Sequence, residues 1–333
     1  MKFASIRVED KNNMTIFDEI RAKAKQVALA AKHITIRKDR IATYIQQLPT
    51  QKIDNPPLDP TCHYVGYGYD TLSFFLSLEA INFGSGYFPY LKNSVEGSGY
   101  FTVAKAWKKY YDKHAPIAAT TLAQLTTADC LQIFGQEKDN IPIRELMTHF
   151  AIALNQLGEF LLIHFDGQVR NLFEEANHSA EKLVQLLIQM PYFQDIATYG
   201  TLQVPILKRA QITAADISLA FQHQGLGYFK DIDQLTIFAD NMVPHVLRCD
   251  GILAYEKGLA AMVDAQQLVP KDSEEEIEIR ACAIHTVELM RAAFAQIGHT
   301  YTSVDLDYLL WNRGLPSYYE QKHAIHLTRT IFY

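Results

Sequence analysis

The chain has 333 residues, 48% of them hydrophobic, and its 31 basic against 37 acidic side chains leave a formal charge of −6. That is enough apolar material for one large domain or two ordinary ones. The acidic balance argues against a dedicated nucleic-acid binder, which carries a basic excess, while leaving room for a local basic pocket around one phosphate. Cys62, Cys130, Cys249 and Cys282 are scattered without a CxxC spacing. Neither a disulfide framework nor a zinc site is expected from them, and reduced thiols in a cytoplasmic protein are.

The first residues, MKFASIRVEDKNN, turn charged too soon for a signal peptide. The segment from Phe17 to Ala31 is Ala-rich with charges along one face, which predicts a helix. Asp54 to Pro60, with Pro56, Pro57 and Pro60, reads as a linker. It divides an N-terminal helical segment, residues 1–55, from a main body, residues 56–333, the two forming one compact domain. Gly84-Ser85-Gly86-Tyr87-Phe88 recurs as Gly97-Ser98-Gly99-Tyr100-Phe101. The pair reads as two tight turns between helices or as a backbone amide nest for an anion. Ile141 to Phe165, with Pro142 near its start, and Asn177 to Met190, stopped by Pro191, have helical spacing. No run of about 18 apolar residues is seen, so no membrane span is expected.

Tyr199 to Ile206 predicts a short strand, and Lys208-Arg209 precede a helix capped by Thr213, with Asp216 three residues on. Gln224-Gly225-Leu226-Gly227 is a glycine turn between two helices. From Ser273 to Ile297 the pattern is the clearest helix: a Ser273/Glu276 capping box, an acidic first turn and Gly298 as the stop. Arg280, His285 and Glu288 lie within its apolar stretch and need partners if buried. A structural network, or one that braces a site, would provide them. The fold class is mainly α, a compact helical domain.

Asp240 is the leading candidate for chemistry. It ends the apolar run Leu235-Thr236-Ile237-Phe238-Ala239 and is followed by Asn241, Met242 and Val243-Pro244. A desolvated carboxylate is costly and is not required by folding, so it suits the floor of a pocket where positive charge develops. The competing reading is the N-cap of a helix beginning near Val243, and the two are compatible. Lys208 follows the apolar Val204-Pro205-Ile206-Leu207 and reads either as a solvated base or as a cation drawn into a pocket to meet an anion. Asp307 and Trp311 are four apart and share a helix face beside Tyr308. An acid among aromatics suits a flat, hydrogen-bonding base, and a capped helix with Trp311 in the core is the alternative. Neither His63 nor His323-x-x-His326 makes a metal set, no cofactor is implied, and no P-loop, dinucleotide or HExxH motif is present.

Several runs, read together, resemble the queuosine salvage family of queuosine 5′-phosphate N-glycosidases: INFGSGYFP from Ile81, LKRAQI from Leu207, LTIFAD followed by VP, EIEIRA from Glu276, DYLLW from Asp307 and the final RTIFY. They occur in family order from about residue 60 onward. The resemblance implies an all-helical fold similar to helix-hairpin-helix DNA glycosylases. It also implies hydrolysis of the bond between ribose 5′-phosphate and queuine, a 7-deazaguanine base. It casts Asp240 as the catalytic carboxylate, Phe238, Asp307 and Tyr308 as base contacts, His63 as a further base contact, and Lys208 as a contact to phosphate or ribose. The chain departs from the family at Asn241-Met242, where Tyr-Arg is common, at Asn312, where an acid is common, and in the glycine run Gly84-Ser85-Gly86. The implied partner is a small nucleotide, with no stable nucleic-acid partner and no membrane. A DNA-repair glycosylase of similar fold and a non-catalytic binder of a modified base are the alternatives.

Overall fold

The computed structural model describes residues 14–50, 58–92, 98–315, 319 and 322–333. Most of the expected linker, the first 13 residues and Gly97 of the repeat lie outside the described residues. The chain begins with α1 (Ile16–Ala30), β1 (Ile34–Ile36) and α2 (Lys38–Gln47). Next come α3 (Tyr69–Ala80), α4 (Gly99–His114), α5 (Ala119–Leu122), α6 (Thr127–Ile133) and α7 (Ile141–His164). They are followed by α8 (Val169–Ala176), α9 (Ala180–Leu187), β2 (Ile196–Tyr199), β3 (Leu202–Pro205) and α10 (Lys208–Ala220). The last elements are α11 (Met242–Cys249), β4 (Leu253–Tyr255), α12 (Lys257–Asp264), α13 (Glu274–Gln296) and α14 (Ser303–Gly314). The architecture is mainly α. Its named strands form two antiparallel pairs, β1 with β4 and β2 with β3.

Two compact units share the chain. The first gathers Met1–Pro56, Asp195–Lys208 and Asp233–Arg329, and the second gathers Pro57–Gln194, Arg209–Ile232 and Thr330–Tyr333. One crossing falls at the proline-rich segment; the others carry no Pro/Gly-rich signature.

In the first unit α13 is the central element. Every residue from Glu276 to Val287 is buried, and α1, α2, β1, α11 and α14 pack around the helix. Its buried Glu278 acts as a clamp on neighbouring backbone. Glu278 Oε1 accepts from the Lys32 amide at 2.9 Å and the Tyr199 hydroxyl at 2.7 Å, and Oε2 accepts from the amides of His33 at 2.7 Å and Ile34 at 3.1 Å. One side chain thereby satisfies the amides that leave α1 and enter β1, which buried backbone requires.

In the second unit α7 packs with α3, α5 and α6. By length and composition α7 also passes for a membrane span, which the sequence reading did not anticipate. Ile143, Leu146, Phe150 and Leu154 are buried, whereas Ile141, Ile152, Leu162 and Ile163 of the same helix are exposed. Arg209 is 1% exposed and lies between the rings of Phe83 and Phe193, at 4.8 and 4.9 Å, while donating to the carbonyls of Glu79, Ala80 and Tyr192. The two copies of the glycine repeat serve different ends. The amides of Gly84 and Ser85 both converge on Tyr333 O, at 2.9 and 3.3 Å, so the first copy is a nest filled by the chain itself. In the second copy Ser98 caps α4.

Local signals placed some boundaries wrongly. Thr213 does not cap a helix. α10 starts at Lys208, whose amide is capped at 3.1 Å by Asp195, and Thr213 lies inside the helix, bonding the Arg209 carbonyl. Asp305 is the third residue of a capping box whose cap is Thr302. The expected strand at Tyr199 to Ile206 is the second half of a hairpin turning at Gly200, where φ is +59°. The helix expected from Asn177 starts at Ala180 because Asn177 adopts the left-handed conformation that ends α8.

Gly158 of α7 meets α5 so closely that a Cβ there would lie 2.5 Å from the Ala119 carbonyl oxygen and against the Ala123 amide nitrogen. Glycine to alanine inside a helix ordinarily gains about 1 kcal/mol. Here overpacking reverses the sign, and Gly158→Ala is expected to lose about 1–3 kcal/mol in urea denaturation.

Candidate functional site

The run Leu235 to Asp240 has no regular secondary structure and, through Ala239, is buried. Its backbone groups are met by charged side chains. Arg21 Nη2 donates to the carbonyls of Gln234, at 2.5 Å, and Leu235, at 3.2 Å. Asp307 Oδ1 accepts from the Phe238 amide at 2.8 Å, and Arg280 Nε donates to the Ala239 carbonyl at 2.8 Å. Arg280 is itself gripped by Asp195, with Nη1 to Oδ1 at 2.9 Å and Nη2 to Oδ2 at 2.7 Å, and its Nη1 lies 3.5 Å from Glu276. Because Asp195 also accepts the Lys208 amide, one buried fork joins α13, the start of α10 and the residue before Asp240.

Asp240 ends this run. Its Oδ1 accepts from the amides of Met242, at 2.7 Å, and Val243, at 3.4 Å, so the carboxylate caps the first turn of α11. The cap reading of this residue is therefore realised. Oδ2 accepts no hydrogen bond from any described residue. Burial pushes the Asp240 carboxyl above its usual range, against the opposing effects of the Lys208 charge, the two amides and the Arg280 charge. Part of the residue remains accessible, so the group is enclosed without being sealed. A fixed, desolvated carboxylate with one open oxygen can face a developing cation or hold a water.

The other residues singled out from sequence divide by unit. Phe238 is 2% exposed, with its ring 6.2 Å from Tyr308 in an edge-on contact. Asp307 is 4% exposed and one of its oxygens holds backbone. Tyr308 and Trp311 are half-buried. Asn312 is exposed, and its side chain donates to the Tyr308 carbonyl of its own helix at 2.8 Å. Lys208 is buried and its charge is felt at Asp240. All of these belong to the first unit. His63 belongs to the second, where its Nδ1 meets the Asp59 carbonyl at 3.0 Å and its Nε2 the Tyr100 hydroxyl at 2.9 Å. Burial lowers its pKa and favours the neutral ring.

Asp195 was not singled out from sequence. Nothing local marks it, since its partners Lys208 and Arg280 lie 13 and 85 residues away in the chain. Arg280 was noted as a buried charge needing a partner, and the structure supplies one. His33, Glu274 and Glu278 bring potential metal-ligand atoms within 4.8 Å of one another. Glu278 already accepts four hydrogen bonds and Glu274 pairs with Lys32 at 2.8 Å, so the group reads as structural.

The sequence profile described as queuosine salvage protein matches residues 62–333. A Sphaerobacter thermophilus protein described as queuosine 5′-phosphate N-glycosylase/hydrolase is 33% identical over 316 residues, covering 93% of this chain and 96% of that protein. Proteins of the same description from Dictyostelium discoideum and Bos taurus are similar too. The first is 35% identical over 216 residues, 65% of each chain. The second is 30% identical over 246 residues, 71% of this chain and 72% of its own. The chain belongs to the queuosine salvage protein family.

Because folding raises the Asp240 pKa, ionising that carboxyl costs native-state stability as pH rises above its unfolded value, about 3.9. Asp240→Asn keeps the capping oxygen and removes the charge. It is expected to unfold at a higher temperature than the wild type at pH 7, with the gap closing as pH falls toward the unfolded pKa. Melting curves across that range read the effect, and a gap that widened in acid would contradict the assignment.

Proposed function

We propose that this protein hydrolyses the N-glycosidic bond of queuosine 5′-phosphate, releasing queuine, with Asp240 as the catalytic carboxylate. The observation that carries the reading is the Asp240 carboxylate itself, pinned through Oδ1, open at Oδ2 and desolvated, in a member of this family.

The chemistry explains why such a group is needed. Breaking the bond builds positive charge on the ribose and negative charge on the base. A purine is helped to leave by protonation at N7, but a 7-deazapurine has carbon there. More of the barrier must therefore be lowered from the sugar side. A carboxylate about 4 Å from the cation contributes up to about 4 kcal/mol at an effective dielectric of about 20, on the order of a thousandfold in rate. The contribution is largest when the carboxylate is already in place as charge appears, and the amides of Met242 and Val243 provide that. The same oxygen can orient the attacking water.

Lys208, buried and within electrostatic reach of Asp240, supports a role in holding the 5′-phosphate so that the sugar lies over the carboxylate. Tyr308 and Trp311, half-buried on α14, offer aromatic surface to the base. A scaffold of helix-hairpin-helix glycosylase type belongs to the same proposal. It is supported by the turn Gly225–Gly227 between helices, where Gly225 has φ +55° and a Cβ on Gly227 would lie 2.6 Å from Phe221 Cβ. A cytoplasmic setting is supported by four unpaired, buried thiols.

Chromatographic detection of free queuine tests the reaction. Asp240→Asn is expected to lose at least about a hundredfold in kcat, the order seen when a preorganised electrostatic group is removed, with its circular dichroism spectrum unchanged. Near-normal turnover by that variant would remove Asp240 from the chemistry. Lys208→Ala is expected to impair queuosine 5′-phosphate more than queuosine itself, and equal losses on the two substrates would rule out a phosphate contact.

A further inference from the structure

Two buried side chains of the first unit, Arg280 and Asp195 behind it, converge on the residue preceding the proposed catalytic group. The Ala239 carbonyl takes its hydrogen bond from Arg280 Nε at 2.8 Å. The remaining two arms of the guanidinium are committed to Asp195 at 2.9 and 2.7 Å. Arg280 and Asp195 are 1% and 3% exposed. A lone arginine this buried would need a counter-charge, and a lone aspartate likewise. Paired, they form a rigid planar fork with one donor left over, aimed at the backbone that carries Asp240. The pair also satisfies the Lys208 amide through Asp195, and Glu276 lies 3.5 Å from Arg280 Nη1 as a further counter-charge.

We infer that Arg280, gripped by Asp195, is a positioning residue that sets the place of the Asp240 carboxylate and supplies positive charge behind it. The inference rests on the proposed function and assigns it two residues that touch no substrate. The groups acting on Asp240 come from three elements: Lys208 at the start of α10, the amides of Met242 and Val243 on α11, and Arg280 on α13. Only the last two bear on its backbone position, and Arg280 alone combines position with charge. The Arg280 charge opposes the upward push of burial on Asp240. Removing it raises the pKa further, so the ionised carboxylate appears only at higher pH.

Two variants separate the roles. Arg280→Lys keeps a cation facing Asp195 but loses the fork and the Nε donor. The double variant Asp195→Leu/Arg280→Met removes both charges while preserving bulk. For queuine release from queuosine 5′-phosphate, Arg280→Lys is expected to lower kcat on the order of a hundredfold, as a 1 Å misplacement does. Its KM and the acidic limb of its pH profile stay where they are in the wild type. The double variant is expected to lose kcat similarly and to move the acidic limb to higher pH. A carboxyl-carbon NMR titration of Asp240 in wild type and double variant reads the same displacement without substrate. A purely structural pair would leave the limb and the titration unmoved. Wild-type kcat in folded Arg280→Lys, or an unmoved Asp240 titration in the double variant, overturns the inference. Should the double variant not fold, the kcat of Arg280→Lys decides. A wild-type protein that releases no queuine removes the proposed function, and the titration then still decides this inference.

Discussion

The structure depends on how a buried, irregular stretch of chain is satisfied without a sheet. Leu235 to Ala239 is buried and lies outside the named strands, and every peptide group there needs a partner. Arg21, Asp307 and Arg280 provide partners at Gln234 and Leu235, at Phe238 and at Ala239. Each is a charged side chain from a separate helix, α1, α14 and α13. Charge-assisted bonds to backbone are stronger than neutral ones, but each charge must itself be compensated. That requirement draws in Asp195 behind Arg280 and Glu288 near Arg21 at 3.3 Å. The ionic content of this core follows from the need to hold one non-regular segment still.

What the clamped segment presents at its end is a carboxylate pushed above its usual pKa range by burial. Burial works against its charge, and the Lys208 and Arg280 charges with two amides restore part of what burial removes. Such an arrangement fits catalysis on a sugar whose leaving base cannot be activated by protonation at position 7. The stabilisation has to come from a negative group already fixed before the bond breaks. A solvated aspartate on a loop would spend that advantage on reorganising itself and its water.

Much of this was legible in the sequence where the signal was local. The α13 pattern, with Ser273 at its cap and no polar face, describes a helix buried all round, and residues Glu276 to Val287 are so placed. The doubling of Asp240 as cap and candidate catalyst was visible from its position before Val243-Pro244. The readings that failed were those in which a distant residue does the local work. Asp195 caps α10, so Thr213, a good cap by composition, lies inside the helix as an ordinary residue. The glycine repeat looked like one feature used twice. Gly84 and Ser85 hold Tyr333, more than two hundred residues away, whereas Ser98 caps a helix. Asp307 reaches back across the chain as well, one of its oxygens holding the Phe238 amide.

By itself, then, the amino-acid order determined the mainly helical class and the family, and it singled out the carboxylate proposed for the chemistry. These reside in short-range periodicity, in caps three or four residues long and in contiguous motifs. Only the tertiary structure decided that Asp195 and Arg280 meet, that three charged helices grip the segment before Asp240, and that one oxygen of that aspartate is held while the other is open. Those outcomes depend on which buried backbone groups lie beside which buried charges. No pairing of that kind is encoded by residues adjacent in the chain; it exists only once α1, α13 and α14 have packed together.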